Sequence, residues 1–401
     1  MIGRLWPLVA ATVALGIDAY VLAGILPQIA GSLTTTAAMI GLGVTAFTAA
    51  YAVSGPVLAS RLGARGAGIA LLVALGVFNL GNLITALAPG IGVFLTARVV
   101  AGTGAGILTA VATGTAAALA PPAQRGRAMM AMVTFGLSLG TVAGVPLGML
   151  IGRTAGWRWT MGAVVVIGAV AMVAVAVRAR TLPSLAGPAR PTFPLMRLPR
   201  VRAGVGAAFG LGTASLGLYT YLLPMAADAG LDRWGFALVW AWGVGGVTGA
   251  ALIGRPLDRF GPRRLLIALP VTLAAGFAVM WATSAPGWWL AATTVWGAAG
   301  WAAVPTLQRA ATAGRPDDIV PIVALQMAAV YLGSAVGSAL GGALLTAGTN
   351  PAEMAGWALI PIVLAGAVAV GLARSADPDR PAASATAPRR SADAQPRQEC
   401  R

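Results

Sequence analysis

Two side chains in this sequence stand where apolar packing alone does not account for them: Asp18, in GIDAYVLAGILP, and Arg98, in FLTARVVAGTGAG. Each sits deep in a long apolar run. An unpaired charge in an apolar interior costs several kcal/mol, so each needs a partner, a proton or water. Burial favours the protonated acid and a nearby guanidinium favours the ionised one, so a small rearrangement can load or unload a proton at Asp18. If the first run is a helix starting near Leu5, the carboxyl lies about 20 Å along it, and Arg98, on a helix running the other way, lies about 10 Å from the opposite end. In an apolar layer of roughly 30 Å those depths nearly coincide. An Asp18–Arg98 pair facing a central cavity is therefore predicted, with proton and substrate competing at one carboxylate. The alternative is a permanently ionised structural pair.

The elements that must position this pair follow from composition. The chain has 401 residues, 58% of them hydrophobic and 9% charged, with a mean hydropathy of +0.82. That apolar surface exceeds what a water-soluble core of this length could hide. A membrane span takes about 20 apolar residues, so the length accommodates twelve. Apolar runs predict helices near 5–29, 38–60, 66–88, 91–119, 128–151, 160–178, 203–226, 234–254, 264–285, 287–312, 319–346 and 356–373. The start of the chain has no small-residue cleavage site and reads as a retained first helix. His is absent and the single cysteine is Cys400, which leaves no disulfide, Cys-based metal site or His relay within the chain. No cofactor or metal is expected.

The formal net charge of +16 comes from arginine alone, and its location matters more than its sum. With the N-terminus cytoplasmic, inside segments hold 23 arginines and outside loops only Arg153, Arg158 and Arg233. This predicts a multi-pass protein of the inner (plasma) membrane with both termini cytoplasmic. It also removes any need for a nucleic-acid partner.

The charged turns repeat. Arg61, Gly63 and Arg65 recur 198 positions later as Arg259, Gly261 and Arg263. Near the same offset Leu26-Pro27 matches Leu223-Pro224, and Gly136, Gly140 and Gly144 match Gly333, Gly337 and Gly341. The expected organisation is an all-α membrane protein of twelve spans in two pseudo-symmetric six-helix bundles, 1–178 and 203–373. A cytoplasmic linker, 179–202, joins them, and a disordered tail, 374–401, follows. Internal repeats of this kind place a substrate site at the midplane, between the halves. In the second half Ser215 stands where Asp18 would repeat and Val295 where Arg98 would, so proton coupling is expected in one half only. Nine of the twelve tryptophans lie in that second half. Trp296, with Tyr219 on the Ser215 face, predicts an aromatic cavity wall, packing being the alternative for any single ring. Asn79 and Asn82 are expected to bond neighbouring helices.

These residues resemble the major facilitator superfamily, and within it the twelve-span drug:proton antiporters of the arabinose-efflux and chloramphenicol-exporter type. Gly254, Leu257, Asp258, Arg259, Gly261, Arg263 and Arg264 match the family's loop signature between the second and third helices of a half. The first-half copy keeps Arg61, Gly63 and Arg65 but has Pro56 at the leading glycine and Ser60 at the aspartate. The resemblance implies a conformational latch made of these turns, with Gly254 allowing close helix approach and Asp258 bonding a helix N-terminus or the adjacent arginines. Topology anchoring alone is the other reading. Arg98, Gly102 and Gly104 match the fourth-helix signature, with Ala101 in place of its glutamine. GLSLGTVAGVPLG is similar to the antiporter fifth-helix pattern, with Val145 inserted before Pro146, and implies a gate at Gly136, Gly140, Gly144 and Pro146.

The expected function is export of small hydrophobic or amphiphilic molecules by proton antiport with alternating access, in a bilayer, by a monomer. A sugar or metabolite exporter or a proton symporter of the same fold stays open, as does a non-transporting membrane sensor. An enzyme is not expected, because one intramembrane carboxylate without His supplies no catalytic pair.

Overall fold

The computed structural model describes residues 2–119, 140–179, 182, 193–315 and 318–375. All of the expected tail but Arg374 and Ser375, half of the expected linker, residues 128–139 of the span expected at 128–151, and with them Gly136, lie outside the described residues. The described residues form helices and no strands, and ten of the helices are long and apolar enough to cross a membrane. In the first half these are α1 (Ile2–Ser32), α2 (Ala37–Gly63), α3 (Ala67–Leu87), α4 (Ile91–Leu119) and α6 (Trp157–Arg178). Between α4 and α6, a π-turn at Gly140–Gly144 runs into α5 (Val145–Thr154), with Pro146 in its first turn. The wider turn thus sits just before Pro146.

The second half repeats the plan: α7 (Pro199–Leu211), α8 (Gly217–Tyr219), α9 (Leu222–Asp228), α10 (Gly235–Leu252), α11 (Gly254–Ala282), α12 (Pro286–Thr312), α13 (Ile319–Thr346), α14 (Met354–Trp357) and α15 (Leu359–Ser375). Two runs that read as single spans are broken. A π-turn at Gly212–Leu216 and a break before α9 interrupt the span expected at 203–226, and the last span divides into α14 and α15. The first break accompanies close helix approach: a Cβ on Gly212 would overlap the Val330 carbonyl, and one on Gly217 would lie 2.5 Å from Gly337 Cα. Here α7, its π-turn and α8 run against α13 backbone to backbone.

The charged segment that read as a turn, Gly254 to Arg264, is mostly helix. Its one break is Gly261, at φ 71° and ψ 166°, a conformation open to glycine and strained for other residues. In the first half the corresponding break sits three residues later than the repeat predicts, at Gly66, with φ 107°. Close helix approach is not the reason for Gly254: a Cβ there would meet nothing within 4 Å. That expectation is corrected: Gly254 opens α11 in an exposed position.

Candidate functional site

Helix α4 owes its place to its glycines. A Cβ on Gly102 would overlap the Phe47 carbonyl of α2, one on Gly104 the Phe78 nitrogen of α3, and one on Gly106 the Tyr51 carbonyl. From the other side Gly81 of α3 leaves room only for the Ala101 backbone. Ala101, fully buried at this contact, therefore cannot be the larger glutamine of the resembling pattern without pushing α3 away.

This close packing delivers three polar side chains to one spot. The Arg98 Nη1 donates to Asp18 Oδ1 at 2.7 Å and to Asn82 Oδ1 at 3.3 Å, and Asn82 Nδ2 donates to Asp18 Oδ2 at 3.2 Å. Asp18 is 0% exposed and Arg98 1%. The guanidinium carbon stands 4.3 Å above the Phe47 ring, so its flat face is covered by α2 while its edge meets the acid. A buried pair needs further hydrogen bonds to offset its desolvation; Asn82 adds one to each partner, while Arg98 Nε is buried without an acceptor among the described residues. Asn82, read from sequence as a helix-bonding residue, thus bonds the charged pair itself. Its spacing, one helical turn from Asn79, gave no hint of that partner.

The pair does not face the cavity between the halves. Asp18 turns into its own bundle, and its neighbours Ala19 and Tyr20 face the other half. The cavity is bounded by Tyr20, Thr48, Tyr219, Tyr331 and Ser334, among others, and has room for about one water molecule. Tyr219 lines it as expected. Asp18, Ser215 and Trp296 do not, although sequence placed all three there. Ser215 Oγ instead accepts a hydrogen bond from Trp296 Nε1 at 2.8 Å, tying α12 to the π-turn behind the cavity. The π-turn through Ser215 breaks the uniform 3.6-residue spacing on which a shared face with Tyr219 was predicted.

Aromatic rings from both halves fill the seam. Tyr20 packs edge-on to Tyr219 at 5.9 Å and against Trp242 and Trp301 at 5.4 and 5.8 Å. Tyr219 and Trp242 stack at 4.0 Å, and Tyr51 of α2 meets Tyr331 of α13 at 3.8 Å. Nearer the α1–α2 connection, Ser338 Oγ donates to the Gly41 carbonyl at 2.9 Å while the Tyr221 hydroxyl donates to the Ser338 carbonyl at 2.6 Å. On this side, opposite the termini, the halves are hydrogen-bonded together.

The latch residues sit at the other end. Asp258 accepts from Arg309 Nη1 at 2.6 Å, so its partner is the last turn of α12 and neither a helix N-terminus nor an adjacent arginine. Arg259 lies over the neighbouring Phe260 ring at 5.4 Å. Arg61 and Arg65 lie exposed at and just beyond the end of α2, Gly63 is buried between them, Ser60 lies on the last turns of α2, and Arg263 is in the first turn after the Gly261 break. Of the expected gate, a Cβ on Gly140 would come within 2.8 Å of Gly16 and one on Gly144 would overlap Ile17. These two glycines let the π-turn lie against α1 just ahead of Asp18.

A profile of the Major Facilitator Superfamily matches residues 8–320. The chain belongs to this superfamily. Among curated members, the inner membrane transport protein YdhP of Escherichia coli (strain K12) is 28% identical over 361 residues, 87% of this chain and 88% of its own. A chloramphenicol efflux pump of Mycobacterium tuberculosis (strain CDC 1551 / Oshkosh) is 33% identical over 295 residues, 69% of each chain. Among solved structures, the human organic anion transporter MFSD10 (TETRAN) superposes with a TM-score of 0.68 at 16% identity, covering 91% of this chain and 97% of that one. Its likeness establishes the fold. This chain is thus a membrane-spanning superfamily transporter with a twelve-helix, two-bundle architecture.

Proposed function

We propose that this transporter exports small hydrophobic or amphiphilic molecules across the inner (plasma) membrane by exchange for protons. The observation that carries the reading is the sealed Asp18–Arg98–Asn82 cluster, which holds a titratable acid inside the first bundle one residue from the cross-half seam. Similarity to chloramphenicol efflux pumps supports export. The arginine distribution supports both termini being cytoplasmic.

Because Asp18 is walled off from the cavity, proton and cargo do not meet at one carboxylate; α1 links them. A proton on Asp18 removes the charge that holds Arg98, loosening α1 from α3 and α4. The same turn of α1 carries Tyr20 against Tyr219, Trp242 and Trp301, so a shift there releases the other half. In this orientation the Gly41–Ser338–Tyr221 contacts close the outer side.

The test is expression in a bacterial host stripped of its own pumps, scored for accumulation of antibiotics, dyes and sugars. Hydrophobic and amphiphilic compounds are expected to accumulate less, and a protonophore to abolish the difference. Sugar-only transport, inward flux or insensitivity to the protonophore overturns the proposal. The latch is tested separately by Asp258→Asn. Asp258 and Arg309 are 70% and 54% exposed, so their pair contributes below about 1 kcal/mol and the melting temperature is expected to hold. A bias of that size between the two carrier conformations slows efflux by up to about fivefold. Unchanged efflux would reduce these residues to topology anchors.

A further inference from the structure

We infer that the cargo this carrier binds at the seam is uncharged, planar and aromatic, and carries a hydrogen-bond acceptor. The inference rests on the export reading above and narrows its cargo class. Three observations converge on it.

The first is shape. Tyr219 and Trp242 stack at 4.0 Å with 29° between their planes, and Tyr51 and Tyr331 lie at 3.8 Å and 34°. Tyr20 is the ring that the first half inserts among Tyr219, Trp242 and Trp301. Rocking the halves apart withdraws Tyr20 and leaves three ring faces and edges without their partner. The cavity beside them is too small for cargo until that happens, so cargo takes the place of a ring, and another flat ring fits it.

The second is charge. Among the described residues no Asp, Glu or Arg lines the cavity. The carboxylate two residues from Tyr20, Asp18, is fully buried and committed to Arg98 and Asn82. A cation entering here would meet only ring faces, whose attraction of about 2 kcal/mol falls short of the several kcal/mol its lost water costs, and an anion would find no guanidinium.

The third is polarity. Trp242 is 1% exposed and its Nε1 has no acceptor among the described residues, although the ring lies at the seam. A buried donor without an acceptor costs free energy that a ligand oxygen recovers. A carbonyl, ether or phenolic oxygen on the aromatic cargo supplies that acceptor.

The experiment uses the full chain in lipid nanodiscs and three tritiated probes sharing one ring system: 2-acetylnaphthalene, 2-ethylnaphthalene and (2-naphthylmethyl)trimethylammonium. Equilibrium dialysis against empty nanodiscs removes partition into lipid. The acetyl probe is expected to bind about fivefold tighter than the ethyl probe, the difference one hydrogen bond makes, and at least tenfold tighter than the ammonium. Trp242→Phe keeps a ring but removes the N–H, and is expected to bring the acetyl and ethyl probes to equal affinity. Tighter binding of the ammonium, or equal acetyl and ethyl affinities in the unaltered protein, overturns the inference without any variant having to fold. Binding needs no gradient, so retained binding with no proton-driven flux would sink the export reading and leave this site standing.

Discussion

Asp18→Asn is expected to abolish proton-driven efflux in everted membrane vesicles, the largest functional effect of any single substitution considered for this protein. Asparagine has nearly the shape of aspartate and can still accept from Arg98 Nη1, which lies 2.7 Å from Oδ1. What it cannot do is exchange a proton, so α1 stays in one relation to α3 and α4 at every pH. Asp18→Leu asks a different question. It leaves Arg98 buried beside Asn82 with no anion, at a cost of about 3 to 5 kcal/mol, and is expected to lower yield as well as flux. Comparing the two separates coupling from folding. If Asp18→Asn pumps a panel of substrates at the unaltered rate, the pair is structural and the coupling proposal falls.

Gly102→Val is expected to have the largest effect on folding. The Cβ and its methyls would occupy the space of the Phe47 carbonyl, backbone that has no rotamer with which to yield. Overpacking a tight core costs about 1 to 3 kcal/mol where side chains can move, and the upper end or beyond where only a helix can. Moving α4 from α2 would also carry Arg98 off the Phe47 ring, 4.3 Å away, so coupling fails with stability. Gly162→Ala in α6 is the control, because its Cβ would meet nothing within 4 Å. There the loss of unfolded-chain freedom leaves stability unchanged or slightly raised. The pair of variants is read by detergent-solubilised yield and melting temperature. A Gly102→Val protein with unaltered melting would mean that α4 does not pack against α2 as described.

Much of this fold was legible in the chain. Helix number, order and the duplicated plan follow from apolar run lengths and from charged turns at a fixed offset, because lipid forces backbone polar groups into helices wherever it surrounds them. The depth argument placed Asp18 and Arg98 at one level, since residue rise along a helix is nearly constant. Composition and sequence were equally enough to exclude a water-soluble core. What they did not determine was direction around each helix axis. That Asp18 turns inward while Tyr20 turns to the seam, that Asn82 bonds the pair, and that Ser215 and Trp296 bond each other behind the cavity are set by rotation. Rotation in turn is set by which glycines let which backbones touch and by π-turns at Gly140–Gly144 and Gly212–Leu216 that offset the 3.6-residue count. Spacing along one helix is a local property. Which face meets which neighbour depends on packing among elements tens to hundreds of residues apart, and only the assembled tertiary structure decides it.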